Sequence, residues 1–444
     1  MFKKIFKSPS TLIGHGWSLE NQGKIKKIYL QDSGRKGHMF TFGTTRIGKT
    51  KLIEEMISQD IRKGYSVVFF DPKGDPDIFS KIVQVVNEEK CQEALSLVTP
   101  IFPEYSAKID PLSHYYMPEE IVSHVTSGIK AREEFFINIA YETTLIVVLT
   151  LIEFAKLKNE KPIFNFNTIK DRISHTDLTN MKTQLEGLNR TPEITEIITS
   201  LQQIVDSPQD YFAKVSASLR TVLTSLATGS TGAIIGKATS NKFIDRLEAG
   251  KQVIMVVQTS SMLTRKTSHI IARVLLSMIQ SFVGRQYASG KKVNPPLCLY
   301  LDEASNLLYQ GIEDLFNKAG GANVWIHAFT QSIADLEAEM GIPSARKILD
   351  NTNNKIFMRV NDPNTAEYIA SYSGMQKKYS PILSLGGGIT IREVEEPMIR
   401  PEDIMNLQER EFFLFSTEGG FRGKTSFVKK PSLKIVYPDV RGGF

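Results

Sequence analysis

Three stretches of the chain carry residue types that do chemistry at phosphates. Gly43-Thr44-Thr45-Arg46-Ile47-Gly48-Lys49-Thr50 has the spacing G-x-x-x-x-G-K-[ST], in which glycines let backbone N–H groups close around a phosphate chain. Lys49 then supplies a point charge to β- and γ-phosphates, and Thr50 offers a hydroxyl to a magnesium ion. Asp302 and Glu303 follow the apolar run Leu297-Cys298-Leu299-Tyr300-Leu301. There Asp302 suits a magnesium ion shared with Thr50, and Glu303 suits an attacking water. The same pair also suits the start of a short helix, as cap and dipole partner. Gln331 comes just after a further apolar run, 324–329, where a glutamine senses the γ-phosphate or orients the water. The charge that builds on the γ-phosphate calls for an arginine. Arg359 is the candidate, donated from a neighbouring subunit, with Arg346 and Arg392 behind it.

These residues lie far apart in sequence, so strands must bring them together. Met39-Phe40-Thr41-Phe42 reads as a strand before the glycine loop, and 51–63 as an amphipathic helix after it, with Leu52, Ile53, Met56, Ile57 and Ile61 on one side. Residues 65–70 read as a buried strand that stops at Asp71-Pro72-Lys73-Gly74-Asp75. A strand, helix, strand succession of this length implies a parallel pair, with ligands at the carboxyl ends. Asp71 and Lys73 therefore fall near the nucleotide, or form a plain polar turn. Further strands are expected over 251–257, 297–301, 324–329, 355–360 and 411–416, the last before a basic, Gly-containing tail. Between 113 and 235 strand-like runs are few and helical spacing dominates, with long helices expected over 132–154 and 211–226. The expected organisation is an α/β nucleotide-binding domain with a mainly parallel sheet, built from 1–112 and 236–444 and interrupted by an all-α insertion, 113–235.

Composition sets outer bounds. The 444 residues are 41% hydrophobic and 23% charged, an ordinary globular make-up, with a formal net charge of +6. That charge permits a polyanionic partner without demanding one. Cys91 and Cys298 are too few and too distant for a disulfide framework or zinc site, and point to a reducing compartment. No secretory signal follows the basic start, and the apolar run 143–152 is too short to span a membrane, so it reads as a buried core helix. The first 36 residues carry Lys3, Lys4, Lys7, Lys24, Lys26, Lys27, Arg35 and Lys36 against Glu20 and Asp32. That bias fits an anionic membrane face or DNA, or a solvated flexible arm.

The loop, the 58–64 stretch behind it, Phe70-Asp71-Pro72-Lys73-Gly74-Asp75 and Leu301-Asp302-Glu303-Ala304-Ser305-Asn306 together resemble TraD-type coupling proteins of conjugative elements. So do 311–321, Phe329-Thr330-Gln331-Ser332, 348–353, 357–363 and 386–394. The nearest likeness is to coupling proteins of integrative conjugative elements, within the superfamily of the FtsK and HerA motors. The resemblance implies a RecA-like domain interrupted by an all-α domain, working as a ring, expected to be a hexamer. It implies ATP and Mg2+ as cofactors, DNA-stimulated hydrolysis, and single-stranded DNA, a relaxase and type IV secretion subunits as partners. It assigns Lys49 and Thr50 to phosphate and magnesium, Asp302 and Glu303 to magnesium and water, and Gln331 to sensing. It places the chain on the cytoplasmic face of the inner membrane. Members of that family usually begin with membrane-spanning helices, and no such helix is expected here, so either the sequence starts after them or the chain makes peripheral contact with the membrane. A cytosolic FtsK- or HerA-like DNA motor and a nucleotide-gated docking adaptor remain the alternatives; Glu303 argues against the adaptor, which needs no water-activating carboxylate.

Overall fold

In the computed structural model, described over residues 10–20, 23–130, 134–383 and 389–439, the apolar runs form strands of one large sheet. In chain order these are β1 (Ser10–Ser18), β2 (Lys26–Gln31), β3 (Met39–Phe42), β4 (Ser66–Asp71), β5 (Leu95–Val98), β6 (Ile254–Gln258), β7 (Leu297–Leu301), β8 (Val324–Thr330) and β9 (Asn354–Phe357). A separate hairpin of β10 (Met375–Leu383) and β11 (Ile389–Pro397) follows, then β12 (Glu411–Ser416) and β13 (Gly419–Thr425) rejoin the sheet. The 11 strands run in the order β2-β1-β13-β12-β9-β3-β8-β7-β4-β6-β5. From β9 to β5 the pairing is parallel, and from β9 to β2 it is antiparallel. The fold is thus α/β with a mainly parallel P-loop sheet, as expected from the sequence.

The parallel strands are buried on both faces because helices cover both, which is why β3, β4, β6 and β7 read as continuous apolar runs rather than alternating ones. On one face the helices Lys49–Lys63 and Pro76–Glu88 pack Leu52, Ile53, Ile57, Ile78 and Val85 against Val67, Phe69 and Val256. On the other face Val68, Phe70, Met255 and Leu299 share one core with the helix Ser261–Ala288 and the helical stretch inserted between β5 and β6. That stretch begins with the helix Pro118–Ser127 and ends with Lys242–Glu248, and among the described residues it contains no strand. It is all-α, and its core is continuous with that of the sheet, because Ile121, Val125, Leu219 and Leu223 belong to the same apolar cluster as Phe42 and Phe70.

Several local expectations change. The helix expected over 211–226 is two helices, Gln209–Val215 and Ala217–Ala227, meeting at Ser216. The apolar run 143–152 lies inside the helix Glu134–Leu157, whose Ile146, Val147 and Val148 are buried. Its stretch Phe135–Leu157 is nonetheless 23 residues with hydropathy 1.9, long and apolar enough to cross a membrane, with 39% buried within the fold. Arg132, the first residue expected in that helix, lies outside the described residues.

The N-terminal arm reading fails for residues 10–20 and 23–36. They form β1 and β2 at the antiparallel side of the sheet, and Arg35 is fully buried in a bidentate pair with Asp60 at 2.6 and 2.7 Å. Arg35 also donates to His327 at 3.2 Å and to Tyr300 at 3.2 Å, and lies over the Trp325 ring. A buried guanidinium needs all of these partners, since its charge has no water to face. Lys3, Lys4 and Lys7 lie outside the described residues, as do Gly386-Gly387-Gly388 of the resembling stretch. The tail expected after Ser416 first pairs as β13 between β12 and β1. It then runs back along the helix Pro76–Glu88, where Tyr437 stacks on Phe79 and Phe102.

Candidate nucleotide site

Strand order puts the carboxyl ends of β3, β8, β7 and β4 side by side, so Gly43, Gln331, Asp302 and Asp71 come into one row. This is the edge at which open α/β sheets bind ligands. The loop 43–48 leaves β3 with Gly43 N–H donating to Thr330 O at 3.2 Å and Thr44 N–H to Arg359 O at 2.8 Å. Arg46 (φ 57) and Gly48 (φ 108) are left-handed, turning the chain into the helix Lys49–Lys63. That helix has no side-chain cap and no acidic residue in its first turn. Its positive end is left open to an anion.

Lys49 is 7% exposed and donates back to Gly43 O at 2.5 Å and Thr44 O at 2.8 Å. Burial pushes its ammonium down to about 8, against the pull of Asp302. A lysine so destabilised fits an arriving phosphate, which restores the missing negative charge. A cavity of about 430 Å3 opens beside it, lined by Thr50, Lys73, Glu303, Gln331 and Glu409 among others. Thr330 also lines this cavity, and its buried Oγ1 has no hydrogen-bond partner. An unclaimed hydroxyl, an uncapped helix end and a buried lysine together fit a nucleotide's phosphates.

Asp302 is 2% exposed, at the end of β7. Its Oδ1 accepts from Glu303 N–H at 3.0 Å, and Glu303 is left-handed at φ 50. Lys73 Nζ bridges the pair, 3.0 Å from Asp302 Oδ2 and 3.2 Å from Glu303 Oε1. Burial works to lower the Lys73 pKa, but Asp302 and then Glu303 outweigh it, and the net shift is upward. Asp71 does not face the cavity. It accepts from the N–H groups of Lys73, Gly74 and Asp75 at 3.1, 3.0 and 2.7 Å, and from Gln258 at 3.0 Å, so it shapes the loop that carries Lys73. Burial pushes its carboxyl up to about 6.

The structure therefore brings together Gly48, Lys49, Thr50, Glu303 and Gln331, with Thr45 and Arg46 at the same cavity and Asp302 bridged to it by Lys73. Ile47 is buried beneath the loop, and its C=O accepts from Arg410 N–H. Arg359 is not among the cavity's lining residues. It follows β9, on the other side of β3 from β8 and β7, and its Nε is buried without a partner. β9 is paired on both sides, so Arg359 is not at a sheet edge. Arg346 lies on the helix Ile342–Asp350, and Arg392 is exposed in the β10–β11 hairpin. Glu409 and Arg410, which close the loop from below, escaped the sequence reading. They stand between a helix and a strand in a stretch with no motif spacing. Among the described residues no cluster of three or more His, Cys, Asp or Glu could hold a metal.

Residues 296–409 match the family described as the TraM recognition site of TraD and TraG. No curated protein matches the sequence. Among solved structures, the unbound bacterial conjugative coupling protein TrwBdeltaN70 is similar over 91% of this chain and 88% of its own, at 14% identity and TM-score 0.66. Plasmid coupling protein TrwB in complex with ADP and Mg2+ is similar over 91% of this chain and 89% of its own, at 14% identity and TM-score 0.64. VirB4 of Thermoanaerobacter pseudethanolicus is similar over 94% and 97%, at 12% identity and TM-score 0.54. The chain has a fold similar to that of the coupling protein TrwB, and its residues 296–409 match the family described as the TraM recognition site of TraD and TraG.

Proposed function

We propose that the chain is a magnesium-dependent ATPase that moves DNA, coupling a relaxase-bound strand to a type IV secretion channel. The observation that carries the reading is Glu303. A site that merely holds a nucleotide needs the glycine loop and Lys49, but a carboxylate in the same cavity, backed by Gln331, is equipment for activating water. Lys49 and the open helix end bind the β- and γ-phosphates; Asp302 and Thr50 hold the metal. Bound magnesium supplies charge that neutralises the phosphates. Glu303 takes up the attacking water's proton, and Gln331, at the end of β8, orients that water. The Lys73 bridge holds both carboxylates in place.

Likeness to TrwB, whose structures hold an ATP analogue and ADP with Mg2+, supports this choice of ligand. The family segment at 296–409 supports docking of a relaxosome component. A ring, as a hexamer, on the cytoplasmic face of the inner membrane completes the reading. Arg359, whose backbone C=O accepts from Thr44 N–H of the phosphate loop, is then the arginine passed between subunits. The domain division at 112 and 235 is part of the same proposal. The test is ATP hydrolysis with and without single-stranded DNA, on the wild type, Lys49→Ala and Glu303→Gln. Hydrolysis that rises with DNA and falls at least 100-fold in both variants is expected. Glu303→Gln should still bind ATP; loss of binding there, or activity indifferent to DNA, overturns the reading.

A further inference from the structure

A second cleft, about 600 Å3, lies between the inserted helices and the start of the helix Ser261–Ala288. Lys130 reaches it from the loop after Pro118–Ser127, while Arg265, Lys266, His269 and Arg273 line it from the long helix. At positions i, i+1, i+4 and i+8 these four share one helical face. The acidic group set against them is Glu339, which pairs with Lys130 at 2.6 Å and with Arg273 at 3.5 Å. Arg273 is 4% exposed, and its Nε has no partner. His269 is pushed down to about 4, first by burial and then by Arg273 and Arg265. The cleft is short of negative charge.

Its surroundings favour a strand over a free phosphate ion. Met262 and Leu263, 94% and 62% exposed, stand just before the cationic face, in a turn broken by Ser260 (φ 49) and Thr264. An inorganic anion has no use for such apolar surface, whereas the bases of an unpaired strand do. The cleft also communicates with the nucleotide site. Arg265 lines both this cleft and a smaller cavity that contains Glu303, Thr330, Gln331 and Glu339. Glu339 sits on the helix Ile333–Met340, which starts two residues after Gln331. On the other side, Ser261 N–H donates to Pro72 O at 2.7 Å, one residue from Lys73.

We propose that this cleft binds the phosphodiester backbone of single-stranded DNA, and that the strand competes with Glu339 for Arg273 and Lys130, passing its presence to Gln331. The proposal rests on the motor reading and adds the strand's site and the route of stimulation. The test uses the full chain and a fluorescent oligothymidine, with binding read by anisotropy at several salt concentrations. Arg265→Gln/Lys266→Gln, both exposed, should lower affinity at least tenfold near 0.1 M salt and reduce the salt slope by about 1.4. Affinity for a fluorescent ADP analogue checks that the fold is intact. Glu339→Gln should have the opposite sign, binding the oligonucleotide several-fold tighter while DNA stimulates hydrolysis less. A wild type that binds no DNA overturns the motor reading and this site with it. A wild type that binds, with a double variant within twofold of it, overturns the site alone. Equal competition by inorganic tripolyphosphate and unlabelled oligonucleotide at matched phosphate overturns the assignment to a strand.

Discussion

Lys73→Met removes the cation that bridges Asp302 and Glu303 while keeping most of the side-chain stem. That ammonium, 3.0 and 3.2 Å from the two carboxylates, would compete with a metal for them. Coulomb attraction at about 3 Å is roughly 1.4 kcal/mol at the dielectric of water and about 5 kcal/mol at that of a protein surface. The Lys73 side chain is 43% exposed, so the lower figure governs. About 1.4 kcal/mol is a tenfold change in an equilibrium constant. The Mg2+ concentration needed for half-maximal ADP affinity should therefore fall about tenfold in the variant, measured by calorimetric titration of ADP at stepped Mg2+. An unchanged or higher requirement refutes the competition and makes Lys73 a ligand-side residue instead. A lower turnover at saturating Mg2+, with the shifted requirement intact, would place the displaced Lys73 on the phosphates during hydrolysis.

Three more outcomes follow from the same geometry. Because burial holds Lys49 down to about 8 and a bound phosphate raises it again, nucleotide binding takes up a proton above that pH. ADP affinity should fall by up to tenfold per unit above pH 8, and a flat profile from pH 7 to 9.5 in the wild type refutes this. Arg35→Met leaves Asp60 buried without its cation, a loss of about 3–5 kcal/mol seen in urea unfolding followed by the fluorescence of Trp17 and Trp325. Arg35→Met/Asp60→Leu should recover part of that loss, and an unchanged unfolding midpoint in the single variant sinks the argument. Gly48→Ala forces a side chain into φ 108, with its Cβ 3.1 Å from Arg410 Cγ. Nucleotide affinity should drop about tenfold, and Arg410→Ala should restore some of it; no loss in the single variant means the loop is not strained there.

The parallel half of the fold was legible because its strands are buried on both faces and its chemistry sits at their ends. Phe40, Val68, Leu299 and Ile326 lie in apolar runs that stop at Gly43, Asp71, Asp302 and Gln331, so runs and stops were visible together. The antiparallel half was not. In β1, β2 and β13 burial alternates or is partial, glycines recur in β1 and β13, and Gly14, Gly16 and Gly423 pack so closely that a Cβ would meet neighbouring backbone within 3 Å. Such strands have little apolar signal, since close backbone approach, not side-chain bulk, makes their packing. Arg35 misled for a related reason. A basic residue in a basic segment reads as surface, and its burial depends on Asp60, His327 and Tyr300, contributed from elsewhere in the chain. Composition carries no trace of a partner that only folding supplies.

The Lys73 bridge and the cationic cleft meet at one mechanical question, which is how a strand more than one helix away could alter water activation at Glu303. Two connections leave the cleft, and they reach different parts of the site. One runs from Arg273 through Glu339 along the helix Ile333–Met340 to Gln331. The other runs from the turn at Ser260 through the Ser261–Pro72 hydrogen bond to the loop that Asp71 holds and Lys73 caps. The first controls the residue that orients water; the second controls the cation that occupies the carboxylates. If a strand acts only through the first, Lys73→Met should leave the fold-stimulation by DNA unchanged. If it also acts through the second, the variant should show higher activity without DNA and a smaller rise with it. Because Glu339 and Lys73 share no direct contact in the structure, the Glu339→Gln and Lys73→Met effects on stimulation should add in the double variant. Non-additive effects would mean that the two connections move together, for which the Ser261–Ala288 helix, which carries both Ser261 and Arg273, is the candidate.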